Sequence, residues 1–251
     1  SRGLGDVYKR QTEIEEEIPD YPVNLFFTKE GYFKKITPIS LRMGGEQKLK
    51  DGDVIQQSQE SMNNTDLLFF SDKSQVYKTK ARDFSDTKAS VLGEFIPAKL
   101  NMDEGESAIY MLATTDYSGY VFFFFENGKV AKVSLKAYET KTNRKKLTGA
   151  YSDKEKLSAI VFVNDEDSEI LMRSSSGRAL LLHTGAIASK TTRNTQGVAV
   201  FKQRKGHRLI SAELYHEGML QTPQRYRTKS IPSSGALPTA EELEGEQLEL
   251  K

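Results

Sequence analysis

The chain of 251 residues contains no cysteine and no tryptophan, and only three histidines. The absence of cysteine rules out disulfides, thiolate metal sites and a cysteine nucleophile, and it suits a reducing compartment. The histidines, at positions 183, 207 and 216, stand at no metal-ligand spacing, so no metal site is expected. A carbohydrate-binding propeller usually exposes tryptophan, and this chain has none. No apolar run approaches the roughly 18 residues that span a bilayer, and no signal-peptide pattern occurs, so no membrane partner is expected. The glycine-rich phosphate loop of ATPases is missing as well. Scattered Ser, Asp and His assemble into no recognisable triad, so no catalytic residue is expected. The sequon at Asn63-Asn64-Thr65 is read as chance without a secretory signal.

Charge is present in near balance, with a formal net charge of +1, but it is unevenly spread. Residues 1–20 carry a net −3 and residues 241–251 a net −4, which leaves +8 for residues 21–240. A basic body attracts polyanions, and the acidic tail from Glu241 to Glu249 can compete for the same surface. The densest basic stretch is Lys129, Lys132, Lys136, Lys141, Arg144, Lys145 and Lys146, with Glu139 the one acid inside it. Further candidates for phosphate contact are Lys34, Lys35, Arg42, Lys78, Arg82, Lys88, Arg178, Lys190 and Arg193.

An internal repeat fixes the fold class. A short apolar run, a turn and a second short run recur four times, with turn residues Gly31, Ser74, Gly128 and Gly177 spaced 43, 54 and 49 apart. Phe, Val and Leu favour strands, and Glu-Gly, Asn-Gly and Ser-Gly tolerate positive φ, so each copy predicts a β-hairpin. Two positions past the turn stands Phe33, Val76, Val130 or Ala179; four positions past it stands Lys35, Lys78, Lys132 or Leu181. Alternation puts both on one face, so the lysine must lie near a strand end, at a bulge, or snorkel outward. After each hairpin comes a polar segment containing Gly44-Gly45 or ending in Gly93, Gly149 or Gly197. A closing strand then carries Ile55, Ile109, Ile160 or Ile210, spaced 54, 51 and 50 apart.

A period near 50 with several short strands per unit predicts an all-β, propeller-like array of four four-stranded blades. The boundaries fall at about 24–66, 67–119, 120–167 and 168–215 within a body spanning 12–215. Helical repeats are disfavoured because the apolar runs are about four residues long and no period of 3.6 persists. Residues 1–11 fit no repeat and read as a non-native lead. Residues 216–251 hold scattered Pro and Gly with a Glu-rich finish, which predicts an extended strap and a disordered acidic tail.

At these residues the chain resembles the C-terminal β-pinwheel of the A subunits of bacterial type IIA topoisomerases, the gyrase and topoisomerase IV family. Phe26-Phe27-Thr28-Lys29-Glu30-Gly31-Tyr32-Phe33-Lys34-Lys35 follows that family's blade signature, and Leu67-Leu68-Phe69-Phe70-Ser71 with Gln75-Val76-Tyr77-Lys78 follows its second-blade form. Thr192-Arg193-Asn194-Thr195-Gln196-Gly197-Val198 resembles a later connection. The gyrase box of the first blade survives only in part, as Leu41-Arg42-Met43-Gly44-Gly45-Glu46-Gln47, with Glu46 reversing a charge. Four recognisable units are fewer than the six usual in gyrase, so a topoisomerase IV-like protein is favoured over a gyrase wrapping domain.

The resemblance implies double-stranded DNA held on a basic rim as partner. It also implies attachment to the catalytic core of the same polypeptide, within an A2B2 holoenzyme whose B subunits are the ATPases. ATP and Mg²⁺ serve that holoenzyme, this fragment needs no cofactor, and the location is cytoplasmic and chromosome-associated. From another class, the alternative is a propeller acting as a protein-interaction scaffold.

Overall fold

The computed structural model describes residues 17–142 and 144–249, so the lead at 1–11 and Asn143 lie outside the described residues. Four hairpins appear where the repeats predict them. They are β1 (Pro22–Thr28) with β2 (Tyr32–Ile36), β4 (Asp66–Ser71) with β5 (Val76–Lys80), β8 (Tyr120–Phe125) with β9 (Lys129–Ser134), and β12 (Glu169–Ser174) with β13 (Ala179–His183). Closing strands β3 (Ile55–Met62), β7 (Ala108–Thr114), β11 (Leu157–Val163) and β15 (Leu209–Leu214) pair antiparallel with the first strand of each hairpin. Each of the four turn residues has positive φ, including the non-glycine Ser74 at 55°.

The fourth strand of each sheet is borrowed. Two-residue strands β6 (Glu94–Phe95), β10 (Lys146–Leu147) and β14 (Val198–Ala199) leave the second, third and fourth repeats and pair with β2, β5 and β9 of the preceding sheet. The sheets are therefore ordered β3-β1-β2-β6, β7-β4-β5-β10 and β11-β8-β9-β14, with β15-β12-β13 last. Consecutive boundaries at 66/67, 119/120 and 167/168 do not delimit these sheets, because each sheet is finished by the next repeat. The last sheet has no following repeat. Its β13 edge is met instead by the C-terminal strap, through an antiparallel bridge Ala179–Ala236 and a parallel bridge Leu181–Arg227. The acidic finish is ordered as well: a C-terminal helix (Ala240–Glu249) replaces the expected disordered tail. Glu242 anchors it by accepting from Tyr226 Oη and Thr222 Oγ1.

Face coverage explains the residue pattern of each hairpin. In β1, Val23, Leu25 and Phe27 alternate into the core shared with Leu67 and Phe69. Strands β4 and β8 are sandwiched, so both of their faces are apolar. Leu68 and Phe70 meet Val121 and Phe123 on one side, while Phe122 and Phe124 meet Ile170 and Met172 on the other. The unbroken run Val121-Phe122-Phe123-Phe124-Phe125 is the sequence of a strand with no wet face. Burying each phenylalanine contributes up to about 3 kcal/mol. Three cores thus join four sheets, and among the described residues no apolar cluster joins the fourth to the first. The fourth packs its far face on Tyr215 and on Met219 and Tyr226 of the strap.

Close approach at the exchange points requires glycine twice. A Cβ on Gly93 would stand 2.4 Å from Phe33 O, and one on Gly197 2.3 Å from Val130 O. By register the matching residue of the middle exchange is Lys146, not Gly149, whose Cβ would meet nothing within 4 Å. Gly149 and Gly197 both have positive φ, so Gly197→Ala adds a backbone collision to conformational strain, whereas Gly149→Ala incurs the strain alone. The expected losses in urea unfolding are about 3 kcal/mol for Gly197→Ala and about 1 kcal/mol for Gly149→Ala.

Candidate nucleic-acid interface

Three of the sixteen cations expected to contact phosphate are buried. Lys34, Lys35 and Lys132 are 1–2% exposed. Lys132 Nζ donates to Glu166 Oε1 (2.8 Å), Ile187 O (3.0 Å) and Thr184 O (3.1 Å), and it stands 4.4 Å from the centre of the Tyr120 ring. Lys35 Nζ donates to Asn63 Oδ1 at 2.7 Å and pairs with Asp86 at 3.1 Å. Lys78, half-buried, donates to Tyr138 O and Thr140 Oγ1, both at 3.0 Å, over the Tyr117 ring. The recurring lysine lies at no bulge: it stands one residue from the end of β2, at the middle of β5 and two residues from the end of β9, with the ammonium turned inward rather than snorkelling. It ties its own hairpin to the connection entering the next repeat and to the segment of that repeat which precedes the borrowed strand. Lys34 does similar work, donating to Lys48 O (3.0 Å) and Ala89 O (3.2 Å), and burial lowers its pKa. In the fourth repeat, which the strap follows, Leu181 takes the lysine's place and packs with Tyr226.

The remaining cations divide between exposed and partly engaged. Arg42, Arg82, Lys88, Lys136, Lys141, Arg144, Lys145, Lys146 and Lys190 are exposed. Lys129, Arg178 and Arg193 are half-buried; Arg178 donates to Gly235 O and Arg193 to Ala137 O. Most of the exposed ones sit on the segments that leave each hairpin for the preceding sheet. Segments 37–50, 81–99, 135–149 and 184–200 carry net charges of +2, 0, +4 and +2. The connections 63–66, 115–119 and 164–168 hold five acids and no Lys or Arg.

The most basic of these segments forms a wall of a groove of about 750 Å³ at the borrowed edge of the second sheet. Lys78, Lys80, Lys99, Arg144, Lys145 and Lys146 line it, against Asp66, Asp83 and Glu139. Asp66 is taken by Lys80 at 2.6 Å, while the side chains of Arg144 and Lys145 make no ion pair among the described residues. Lys80 and Lys99 were not among the expected contacts. Lys99 is isolated in the sequence and Lys80 stands between Lys78 and Arg82, and strand exchange brings both beside residues 144–146. The dense stretch 129–146, conversely, is split: Lys129 pairs with Ala199, Lys132 is internal, and only its later part reaches the groove.

Lys146 is held from beneath. It reaches Asp103 at 3.3 Å and lies over Tyr77, whose hydroxyl donates to the buried Glu106. Glu106 also accepts from Ser71 Oγ, from Gln75 Nε2 at 2.7 Å and from the Asp103 N–H at 3.0 Å. Burial alone would raise its pKa, but these donors outweigh it and the pKa is lowered. Gln75 and Lys146 likewise lower that of Asp103.

A model of the DNA gyrase C-terminal β-propeller domain matches residues 65–90 and 168–215. The A subunit of DNA gyrase from Streptomyces coelicolor is 25% identical over 84% of this chain, and that of topoisomerase 4 from Bacillus subtilis 27% over 68%. Over most of its length the chain is similar to the C-terminal parts of gyrase and topoisomerase IV A subunits, and it shares the fold of their solved C-terminal domains. It spans about a quarter of the length of those relatives, 26% and 23% respectively. A solved topoisomerase IV C-terminal domain superposes with a TM-score of 0.67 at 23% identity, covering 79% of this chain and 62% of that one. A gyrase A C-terminal domain superposes with 0.56 at 15%, covering 86% and 76%.

Within this chain the residues of the altered box are placed plainly. Leu41, Arg42 and Met43 end the short helix α1 (Pro38–Met43), and Gly44, Gly45, Glu46 and Gln47 follow as loop, with Arg42 and Glu46 both exposed. The acidic C-terminal helix reaches Thr222, Tyr226 and Thr239 and not the groove, so competition of the tail for that groove finds no contact to support it. Among the described residues no grouping of His, Asp and Glu could hold a metal, and no helix is long and apolar enough to cross a membrane.

The internal cations and the buried carboxylate each give a measurable outcome. Lys132→Met orphans two carbonyls and is expected to cost about 3 kcal/mol in urea unfolding. Because the folded Glu106 pKa lies below its ordinary 4.5, its stabilisation is complete above that value and is lost as pH falls through the folded one. Thermal melts of the unmodified domain should therefore steepen below pH 4.5, and Glu106→Gln should flatten that acid limb.

Proposed function

We propose that this chain binds duplex DNA through its phosphates and serves topological change as the C-terminal domain of a type IIA topoisomerase. The groove at the second sheet carries the reading. Arg144 and Lys145 are exposed there and free of ion pairs among the described residues, beside Lys146, on the segment with the largest positive charge of the four. Such cations bind by releasing condensed counterions and read little sequence. That suits an enzyme working anywhere on a chromosome. Bending 20–30 base pairs costs roughly 1–6 kcal/mol, so the groove must act together with exposed cations on other segments, such as Arg42, Lys88 and Lys190.

In the intact protein the domain would serve a cytoplasmic A2B2 enzyme, in which the core preceding this domain cleaves DNA and the B subunits use ATP and Mg²⁺. Glu46, exposed directly after Gly44-Gly45, favours a topoisomerase IV-like role of decatenation and relaxation over gyrase wrapping. With ATP, the parent holoenzyme is expected to decatenate linked DNA circles and to introduce no negative supercoils into relaxed plasmid; supercoiling would assign it to gyrase.

Arg144→Gln with Lys145→Gln should weaken binding of any duplex sequence alike and reduce the slope of log K against log salt by about 2, at roughly 0.9 per phosphate contact. An unchanged slope in fluorescence anisotropy would remove the groove from the interface.

A further inference from the structure

The four loops that bring the chain back to its closing strand occupy equivalent places. Each docks on its hairpin turn by one backbone bond: Lys29 N–H to Val54 O (2.9 Å), Asp72 to Ser107 (3.0 Å), Glu126 to Lys156 (2.9 Å) and Ser175 to Arg208 (2.8 Å). Their charges are not equivalent. Residues 51–54 carry −2, 103–107 carry −3, 153–156 are neutral, and 202–208 carry +4 with no acid among them. The same backbone task is performed by acidic loops in two repeats, so folding does not call for the cations of the fourth. Lys202, Arg204 and Lys205 make no ion pair among the described residues, while Arg208 lies 3.7 Å from Glu126. Lys202, Arg204, Lys205 and Arg208 stand on a loop that is largely exposed. The loop sits at the hairpin-turn end of the last sheet and shares no residue with the groove of the second.

We infer that residues 202–208 form a second phosphate-binding site for duplex DNA, which anchors the duplex at the turn end of the fourth sheet. The inference rests on the DNA-binding reading and extends it. A duplex held at both places crosses from the borrowed edge of the second sheet to the turn end of the fourth, and so does not keep to the borrowed edges alone. The acidic loops of the first and second repeats repel phosphates on that same turn end, which confines the anchor to the last repeat.

The test uses a labelled 30-base-pair duplex titrated by anisotropy from low to moderate salt, with three variants of the whole chain. The first replaces Lys202, Arg204 and Lys205 by Gln. The second replaces Lys29, Lys50 and Lys73 by Gln, removing equal charge beside the acidic loops. The third is the groove pair at Arg144 and Lys145. Circular dichroism melts verify that each is folded, and the loop variant should melt like the unmodified chain because it breaks no ion pair.

The loop variant is expected to lower the salt slope by about 2–3, additively with the groove variant, and the control by less than about 1. An unchanged slope in the loop variant, or an equal drop in loop and control variants, overturns the inference. A groove variant without effect beside an active loop variant would instead remove the groove reading and leave the loop standing.

Discussion

The array depends on one kind of contact, an ammonium group turned inward at the seam between repeats. Lys35, Lys78 and Lys132 occupy the same place in three hairpins, and each satisfies polar groups contributed by the following repeat. A charge in such a place is costly unless its donors are used, and here they are used on groups that must be brought together for the next sheet to form. Apolar packing supplies most of the stabilisation, but it is indifferent to small slips between sheets. A lysine reaching the carbonyls of residues 184 and 187 is not. Packing holds the sheets together, and the lysines set their register.

Strand exchange makes the same point on the scale of the backbone. Ordinary solenoid repeats touch neighbours through side chains, and their stability is close to a sum over units. Here each of the first three sheets is incomplete without two residues from the next repeat. The end of the array is written in the same terms: Leu181 replaces the lysine, and the strap at Tyr226, Arg227 and Ala236 supplies the edge that no fifth repeat delivers. Charge is sorted by this geometry. Three of the four outgoing segments are basic, connections between repeats are acidic, and the return loops change from acidic to basic along the chain.

Much of this is legible in the sequence. Hairpin positions, turn residues and closing strands all follow from local pattern, because alternation, positive-φ residues and β-branched content act over a few neighbours. What is not legible depends on pairing at a distance. Residues 94–95 look like part of the second blade until the partner of Phe33 is known, and Gly149 looks equivalent to Gly93 until register shows Lys146 there. The largest departure concerns Lys34, Lys35 and Lys132, which read as surface cations because lysine usually is one. The sequence does hold a hint: Lys132 stands in the run Val130-Ala131-Lys132-Val133, whose other residues are apolar, and its counterpart in the last repeat is leucine. A position that alternates between lysine and leucine is an interior one. Lys80 and Lys99 escape notice for the opposite reason, since density along the chain says nothing about neighbours made by exchange.

The borrowed strands also set an order for synthesis. A ribosome releases the hairpin of the first sheet long before residues 94–95, and that of the second well before residues 146–147. Domains tend to fold as their N-terminal parts emerge, so each nascent sheet waits with one row of backbone donors and acceptors open until the following repeat has been made. The last sheet is the last to be covered, when Ala236 arrives. A truncated translation product ending before the strap would carry an uncovered Leu171–Leu181 face and a bare β13 edge, the two features that promote pairing between chains. Completion of the C-terminal segment is thus the step that converts a chain prone to self-association into a sealed one.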